Sequence, residues 1–64
     1  MWDEVLATER RPDGVRVRGK NLSGEWEQIF TYDQLIGLRV NALDLLDHPN
    51  NYKIDRAERK IAFR

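Results

Sequence analysis

The pattern of apolar and polar positions divides the chain into short alternating segments and one longer apolar stretch. Alternation with a period of two predicts strands at Glu4–Arg10, Val15–Lys20 and Glu25–Thr31, because successive side chains of a strand point to opposite faces. Turn-forming residues separate these segments at Arg11–Gly14 and Asn21–Gly24. The first half of the chain therefore predicts a three-stranded antiparallel meander.

The second hairpin has one register that satisfies both faces. If Asn21–Gly24 closes it, Arg16 faces Ile29 and the outer face pairs opposite charges, Lys20 with Glu25 and Arg18 with Glu27. The other face then pairs Val15 with Phe30, Val17 with Gln28 and Gly19 with Trp26. For the first hairpin, an unbulged register puts Glu9 opposite Arg16 and Leu6 on the apolar side, although Pro-Asp-Gly also suits a bulged turn.

The stretch Tyr32–Asp47 predicts one helix whose apolar residues cover too much of its circumference. Thr31 and Gln34 have the spacing of a capping box, and Pro49 ends the helix. At the helical step of roughly 100° per residue, the apolar positions span an arc of roughly 220°. A competing interpretation makes Leu35–Asn41 a fourth strand and confines the helix to Ala42–His48.

The last residues predict a C-terminal hairpin around Arg56–Arg59. Apolar side chains share one face when Ile54 lies opposite Ile61 and Tyr52 opposite Phe63, and this register brings Asp55 opposite Lys60. The chain is thus expected to be one α+β domain over residues 1–64, with element order β-β-β-α-β-β. A small SH3-like barrel is the alternative fold.

Charge and length restrict the classes of function. Eleven basic and eleven acidic residues give a net charge of zero, which disfavours binding to nucleic acid or membranes through bulk attraction. The absence of a secretory signal and of a membrane-spanning apolar run predicts a cytoplasmic location. Without cysteine, stability comes from packing, oligomerisation or a partner.

The surplus apolar arc predicts a protein-binding surface. Assigning Leu35, Ile36, Leu43 and Leu46 to the sheet leaves a second face for a partner, formed by Leu38, Arg39, Ala42 and Leu45. Trp2 is a second candidate contact residue, because tryptophan is enriched among residues that dominate binding energy. The alternative is a central helix covered by the sheet on one side and by the C-terminal hairpin on the other.

Basic residues raise a second hypothesis, a small nucleic-acid-binding domain. Its candidate contacts lie on the second strand and in the C-terminal hairpin: Arg16, Arg18, Lys20, Arg56, Arg59 and Lys60. Neutralisation by Glu25 and Glu27 on the neighbouring strand is the simpler interpretation of the first three.

Catalytic and metal chemistry have little support in the sequence. His48 is the single histidine, and its place beside Pro49 suits a helix end. Neither a cofactor nor a metal is expected, and an enzyme is the least favoured class. The favoured function is a non-catalytic protein interaction module that acts as a homodimer, an adaptor or an inhibitor, in the manner of a phage or mobile-element accessory protein.

Overall fold

The computed structural model describes all 64 residues as one antiparallel sheet with two short helices. The elements follow the chain as β1 (Asp3–Arg10), β2 (Gly14–Asn21), β3 (Gly24–Thr31), α1 (Tyr32–Gly37), α2 (Ala42–Asp47), a 3₁₀ turn (Pro49–Asn51), β4 (Tyr52–Asp55) and β5 (Lys60–Phe63). The strand order is β3-β2-β1-β4-β5. Neither helix has the length and apolar character required to cross a membrane.

The predicted register of the second hairpin is confirmed. Lys20 lies opposite Glu25, and Gly19 lies opposite Trp26. The indole occupies the space above the glycine, since a Cβ atom on Gly19 would overlap Cζ2 of Trp26. A glycine in the strand thus makes room for the largest side chain of the core.

The first hairpin keeps the unbulged turn but has an irregularity further along β1. Glu9 faces Arg16 as predicted, whereas the register shifts between Val5 and Ala7. The extra residue at Leu6 places Val5 opposite Gly19, so that Val5 is buried and Leu6 is only half-buried. The expectation that Leu6 joins the apolar side is therefore corrected to Val5.

The C-terminal hairpin has all three predicted pairs, Tyr52 with Phe63, Ile54 with Ile61 and Asp55 with Lys60. The buried Asp55 carboxylate stabilises its turn by accepting the backbone N–H of Glu58 at 3.1 Å. Pairing of Asp3 with Ile54 attaches this hairpin to β1 and completes the sheet.

The single helix predicted over Tyr32–Asp47 is wrong: the chain forms two helices of six residues separated by Leu38–Asn41. Arg39 has a left-handed backbone with φ of 60°. The N–H of Arg39 donates to Ile36 O and the N–H of Val40 donates to Leu35 O, the two bonds of a Schellman motif. The competing interpretation predicts a short helix over Ala42–His48, one residue longer than α2, but its fourth strand at Leu35–Asn41 is not formed.

The break changes which apolar residues reach the core. Leu35 and Leu45 are buried, at 1% and 0% exposure, whereas Ile36 and Leu43 are exposed at 72% and 67%. The assignment of Ile36 and Leu43 to the sheet, with Leu45 on a free face, is therefore corrected. Each of the two helices contributes one buried leucine to the core, Leu35 from α1 and Leu45 from α2.

The sheet curls so that arginine side chains from the turn between β4 and β5 contact β3 at the opposite edge. The Arg59 guanidinium lies 4.9 Å from the ring of Phe30, and that of Arg56 lies 4.7 Å from the ring of Trp26. Arg59 also donates to the Gln34 side chain at 3.3 Å, and Gln34 caps α1 in the capping box predicted with Thr31. The core enclosed by this curl contains Val5, Val15, Val17, Trp26, Phe30, Leu35, Leu45, Tyr52, Ile54 and Ile61.

Candidate binding groove

The largest concavity of the molecule, about 510 Å³, lies between the interhelical linker and the edge strand β5. We refer to it as the β5 groove. Six of its nine lining residues are hydrophobic. The nine are Leu38, Arg39, Val40, Asn41, Asp44, Tyr52, Ile61, Ala62 and Phe63. Its size and apolar lining fall within the range of binding sites in proteins.

One wall of the groove is the linker Leu38–Asn41, whose shape is set by two caps. The Schellman motif at Arg39 ends α1, and the Asn41 side chain begins α2 by accepting the N–H of Asp44 at 3.1 Å. Leu38 and Val40 are half-buried and pack against the core, which holds the linker in place.

The other wall is the outer edge of β5. The groove is lined by three consecutive residues of this strand, Ile61, Ala62 and Phe63. Because neighbouring side chains of a strand point to opposite faces, contact with all three means that the groove runs along the backbone edge. The backbone of β5 is paired with β4 on its other side only.

Tyr52 and Asp44 form the polar part of the groove. The Tyr52 hydroxyl donates to the Asp44 carboxylate. Burial, followed by this hydrogen bond and the negative charge of Asp44, raises the pKa of Tyr52 to about 12. The phenol of Tyr52 therefore stays protonated at physiological pH. Its hydroxyl already donates a hydrogen bond to the carboxylate of Asp44.

Phe63 is the most accessible aromatic side chain of the groove. It is 68% exposed, although it stacks on Tyr52 with ring centroids 4.9 Å apart and an interplanar angle of 27°. An exposed aromatic ring that stacks on a buried one offers a large apolar surface, which is typical of an interface anchor.

The predicted protein-binding residues fall into three places. Leu38 and Arg39 line the β5 groove. Ala42 is half-buried against the core, and Leu45 is fully buried within it. Trp2 lines a separate cavity of about 320 Å³ beside Met1 and Leu22, where its ring is 44% exposed and lies 4.8 Å from the Lys53 ammonium.

The basic residues proposed for nucleic-acid contact do not form one surface. Arg16 pairs with Glu9 and Arg18 with Glu25, each at 3.7 Å, on the outer face of the first three strands. Lys20 is exposed on the same strand without an ion pair. In the C-terminal hairpin, Arg56 and Arg59 cover aromatic rings of β3, and Lys60 pairs with Glu58 at 3.3 Å.

His48 is the C-terminal capping residue of α2. Its backbone N–H donates to Asp44 O at 2.7 Å, and its side chain is exposed. No group of three or more His, Cys, Asp or Glu side chains is arranged to hold a metal ion.

Sequence reasoning missed most of the β5 wall. Phe63 shares one face with Tyr52, Ile54 and Ile61 as predicted, but it is 68% exposed because it lies where the strand leaves the core. The signal that could have identified the linker was the spacing of Asn41 and Asp44, which is typical of a helix start. A second helix starting there would have implied a non-helical segment before it.

Comparison with family models, curated proteins and solved structures finds no match to this chain.

Proposed function

We propose that the protein is a non-catalytic protein interaction module that binds a segment of another protein in the β5 groove. The observation that carries this proposal is the apolar concavity along an open sheet edge, with Phe63 stacked on Tyr52 and 68% exposed at its rim. In small domains such a combination of exposed apolar surface and free backbone edge is typical of an interface.

The groove favours a polypeptide over a compact small ligand. The Asp44 carboxylate, which could orient a small molecule, is already bonded to Tyr52, and the free polar groups of β5 are spread along a strand edge. A polypeptide would satisfy the unpaired backbone of β5 and cover Phe63 and Leu38 together.

The charge pattern favours a different protein over a second copy of this chain. Basic residues flank the groove, with Arg39 in one wall and Lys60 and Arg64 at the ends of β5. Two copies meeting edge to edge would bring these like charges together, which opposes association.

Nucleic-acid binding remains the second hypothesis from the sequence, and the geometry gives it less support. Arg16 and Arg18 have carboxylate partners, and the aromatic rings of Trp26 and Phe30 are covered by arginines from the hairpin. Bases would have no exposed ring on this part of the molecule on which to stack.

The test uses two exposed residues of similar accessibility. Random linear peptides displayed on phage are selected against the wild-type chain, and the enriched peptides are then measured against Phe63→Glu and Leu43→Glu. Leu43 is 67% exposed but lies outside the groove. Circular dichroism checks that both variants fold.

We expect Phe63→Glu to weaken binding at least tenfold, about 1.4 kcal/mol, whereas Leu43→Glu leaves it unchanged. Enriched peptides that bind Phe63→Glu as tightly as the wild type would overturn the proposal. Loss of binding in both variants alike would also overturn it, since the groove would then not be the site.

A further inference from the structure

We infer that the segment bound in the β5 groove is extended and pairs with β5 as a sixth strand. It contains two apolar residues separated by one polar residue, and an acidic residue flanks them on each side. This inference rests on the proposed function and specifies the conformation and chemistry of the partner. Four observations lead to it: the direction of the β5 backbone groups, the occupied state of the other sheet edge, the apolar wall, and the charges around the groove.

Two residues of β5 have backbone N–H and C=O groups that point outward, away from β4. The N–H of Arg64 donates to Asn51 O at 2.9 Å, which makes this a hydrogen-bonded pair of the β4–β5 ladder. Such pairs alternate along an antiparallel ladder, so Ala62 and Lys60 also direct their backbone groups toward β4. The N–H and C=O groups of Ile61 and Phe63 therefore point away from β4, along the groove.

The opposite edge of the sheet is less available. Arg59 from the hairpin turn donates to Ile29 O of β3 at 3.5 Å and covers the ring of Phe30. Side chains thus occupy part of the β3 edge, whereas no hydrogen bond joins the linker wall to Ile61 or Phe63. Of the two edges, β5 is the one that borders the apolar groove, and its outward backbone groups have no partner.

The side chains of the groove define alternate positions of the incoming strand. Residues opposite Ile61 and Phe63 would direct their side chains to the same face as these two, where Leu38 and Val40 form the apolar wall. The residue between them would face solvent together with Ala62. Two apolar residues separated by one polar residue therefore fit the groove.

The charges select the ends of the segment. Lys60 and Arg64 lie four residues apart on the face of β5 shared with Ala62, and Arg39 in the facing wall makes no ion pair. An acidic side chain opposite each end of β5 would give two cross-strand pairs of opposite charge. Lys60 and Arg64 are both exposed, so neither the ion pair of Lys60 with Glu58 nor the hydrogen bond that Arg64 donates to Asn50 O at 3.4 Å prevents this exchange.

A second copy of the chain does not fit this description. If two copies pair antiparallel through the outward backbone groups of Ile61 and Phe63, Ile61 of each copy lies opposite Phe63 of the other. Lys60 of each copy then lies opposite Arg64 of the other, so this pair of like charges occurs twice. Like charges directly opposite are destabilising. The β5 edge therefore favours pairing with an acidic segment and disfavours pairing with β5 of a second copy.

The experiment measures amide hydrogen exchange by NMR, with a short capped peptide as the probe. The peptide has two valines separated by a serine and a glutamate at each end. In the unbound chain the amides of Ile61 and Phe63 should exchange at least about tenfold faster than that of Ala62, because only Ala62 donates within the ladder.

At saturating peptide, exchange at Ile61 and Phe63 should slow at least about tenfold, whereas exposed amides elsewhere keep their rates. A control peptide with lysine in place of both glutamates should bind at least about tenfold more weakly. N-methylation of the peptide amides that face β5 should abolish binding, because it removes the ladder donors.

The outcomes separate this inference from the proposed function. Binding that depends on Phe63 but leaves exchange at Ile61 and Phe63 unchanged would overturn the strand inference and keep the groove as a site. Equal binding of the lysine peptide, or no binding of the glutamate peptide at millimolar concentration, would overturn the inference as well. Slow exchange at both amides in the concentrated chain alone would show a second copy as the occupant and overturn it too.

Discussion

At the scale of single residues, Gly19 and Arg39 lie at positions that restrict which side chain is tolerated, Gly19 through its neighbour and Arg39 through its backbone conformation. Gly19 lies under the Trp26 ring, where a β-carbon does not fit without displacing the indole. Arg39 has a left-handed backbone at a position where helices usually end in glycine. This conformation costs a residue with a β-carbon about 1–2 kcal/mol, and here two backbone hydrogen bonds and the burial around Leu35 and Val40 offset that cost.

Gly19→Ala is expected to destabilise the fold by about 1–3 kcal/mol, because the added methyl group overlaps the indole of Trp26. Gly37→Ala is the matched control, since a β-carbon added there, at the end of α1, would have no atom within 4 Å. That variant should be unchanged or stabilised by up to about 1 kcal/mol. Urea unfolding measures both, and equal stability of the two variants would contradict the placement of Trp26.

Asp55 links the stability of the C-terminal hairpin to pH. The backbone N–H of Glu58, followed by the Met1 amino group at 3.1 Å, lowers the pKa of Asp55 below its ordinary value of 3.8. A carboxyl with a lowered folded pKa stabilises the fold fully above its unfolded pKa. That contribution is lost as the pH falls through the folded pKa.

Acidification from about pH 6 to about pH 2 should therefore lower the urea midpoint of the wild type more than that of Asp55→Asn. Asparagine keeps an oxygen that accepts the Glu58 N–H, but it carries no charge to be titrated. Urea titrations over this pH range measure the difference. Parallel pH profiles of the two proteins would show that Asp55 has the same pKa in the folded and unfolded chain.

At the scale of elements, the division of one apolar stretch into α1 and α2 decides which side chains are buried. Each helix contributes one fully buried leucine, Leu35 and Leu45, and each exposes one large apolar residue. The linker between them is also one wall of the groove. The same break therefore completes the core and forms the candidate site.

Leu45→Ala is expected to destabilise the protein by about 2–5 kcal/mol, because it leaves a cavity in the core. Leu43→Ala, on the same helix, should change stability by no more than about 0.5 kcal/mol. Chemical unfolding compares the two, and Leu45→Val gives a smaller loss if the alanine variant does not fold. Similar losses at both positions would contradict the difference in burial between Leu45 and Leu43.

At the scale of the whole molecule, the balance of charge conceals strong local differences. Residues 53–64 carry a net charge of +3, and residues 21–52 carry −4. The basic C-terminal hairpin ends in the open edge of the sheet. Lysine and arginine beside an edge strand oppose its pairing with a copy of itself, because like charges would lie opposite each other.

The wild-type chain is accordingly expected to be a monomer in solution, whereas Lys60→Glu should promote dimerisation by placing a glutamate opposite Arg64 of the other copy. Lys60→Gln is the control that removes the positive charge without adding a negative one. Light scattering over a dilution series, at low and high salt, measures association. A wild-type dimer, or a Lys60→Glu variant that stays monomeric at every concentration, would contradict the pairing geometry described for β5.

The sequence by itself determined the strand pairings within the second hairpin and within the C-terminal hairpin. Cross-strand charges and the match of Gly19 with Trp26 allow only one register in the second hairpin, and alternation fixes Ile54 opposite Ile61. The capping box at Thr31 was equally local, since donors and acceptors lie within four residues.

Only the tertiary structure decided how the apolar stretch after Thr31 is divided. A periodic pattern records which residues are apolar, but burial depends on the direction of each helix axis relative to the sheet. The Schellman turn at Arg39 forms because Leu35, Val40 and Leu45 can all pack against the core at once, which is a long-range condition. The groove arises from the same condition, because its two walls come from segments about twenty residues apart that only the folded core brings together.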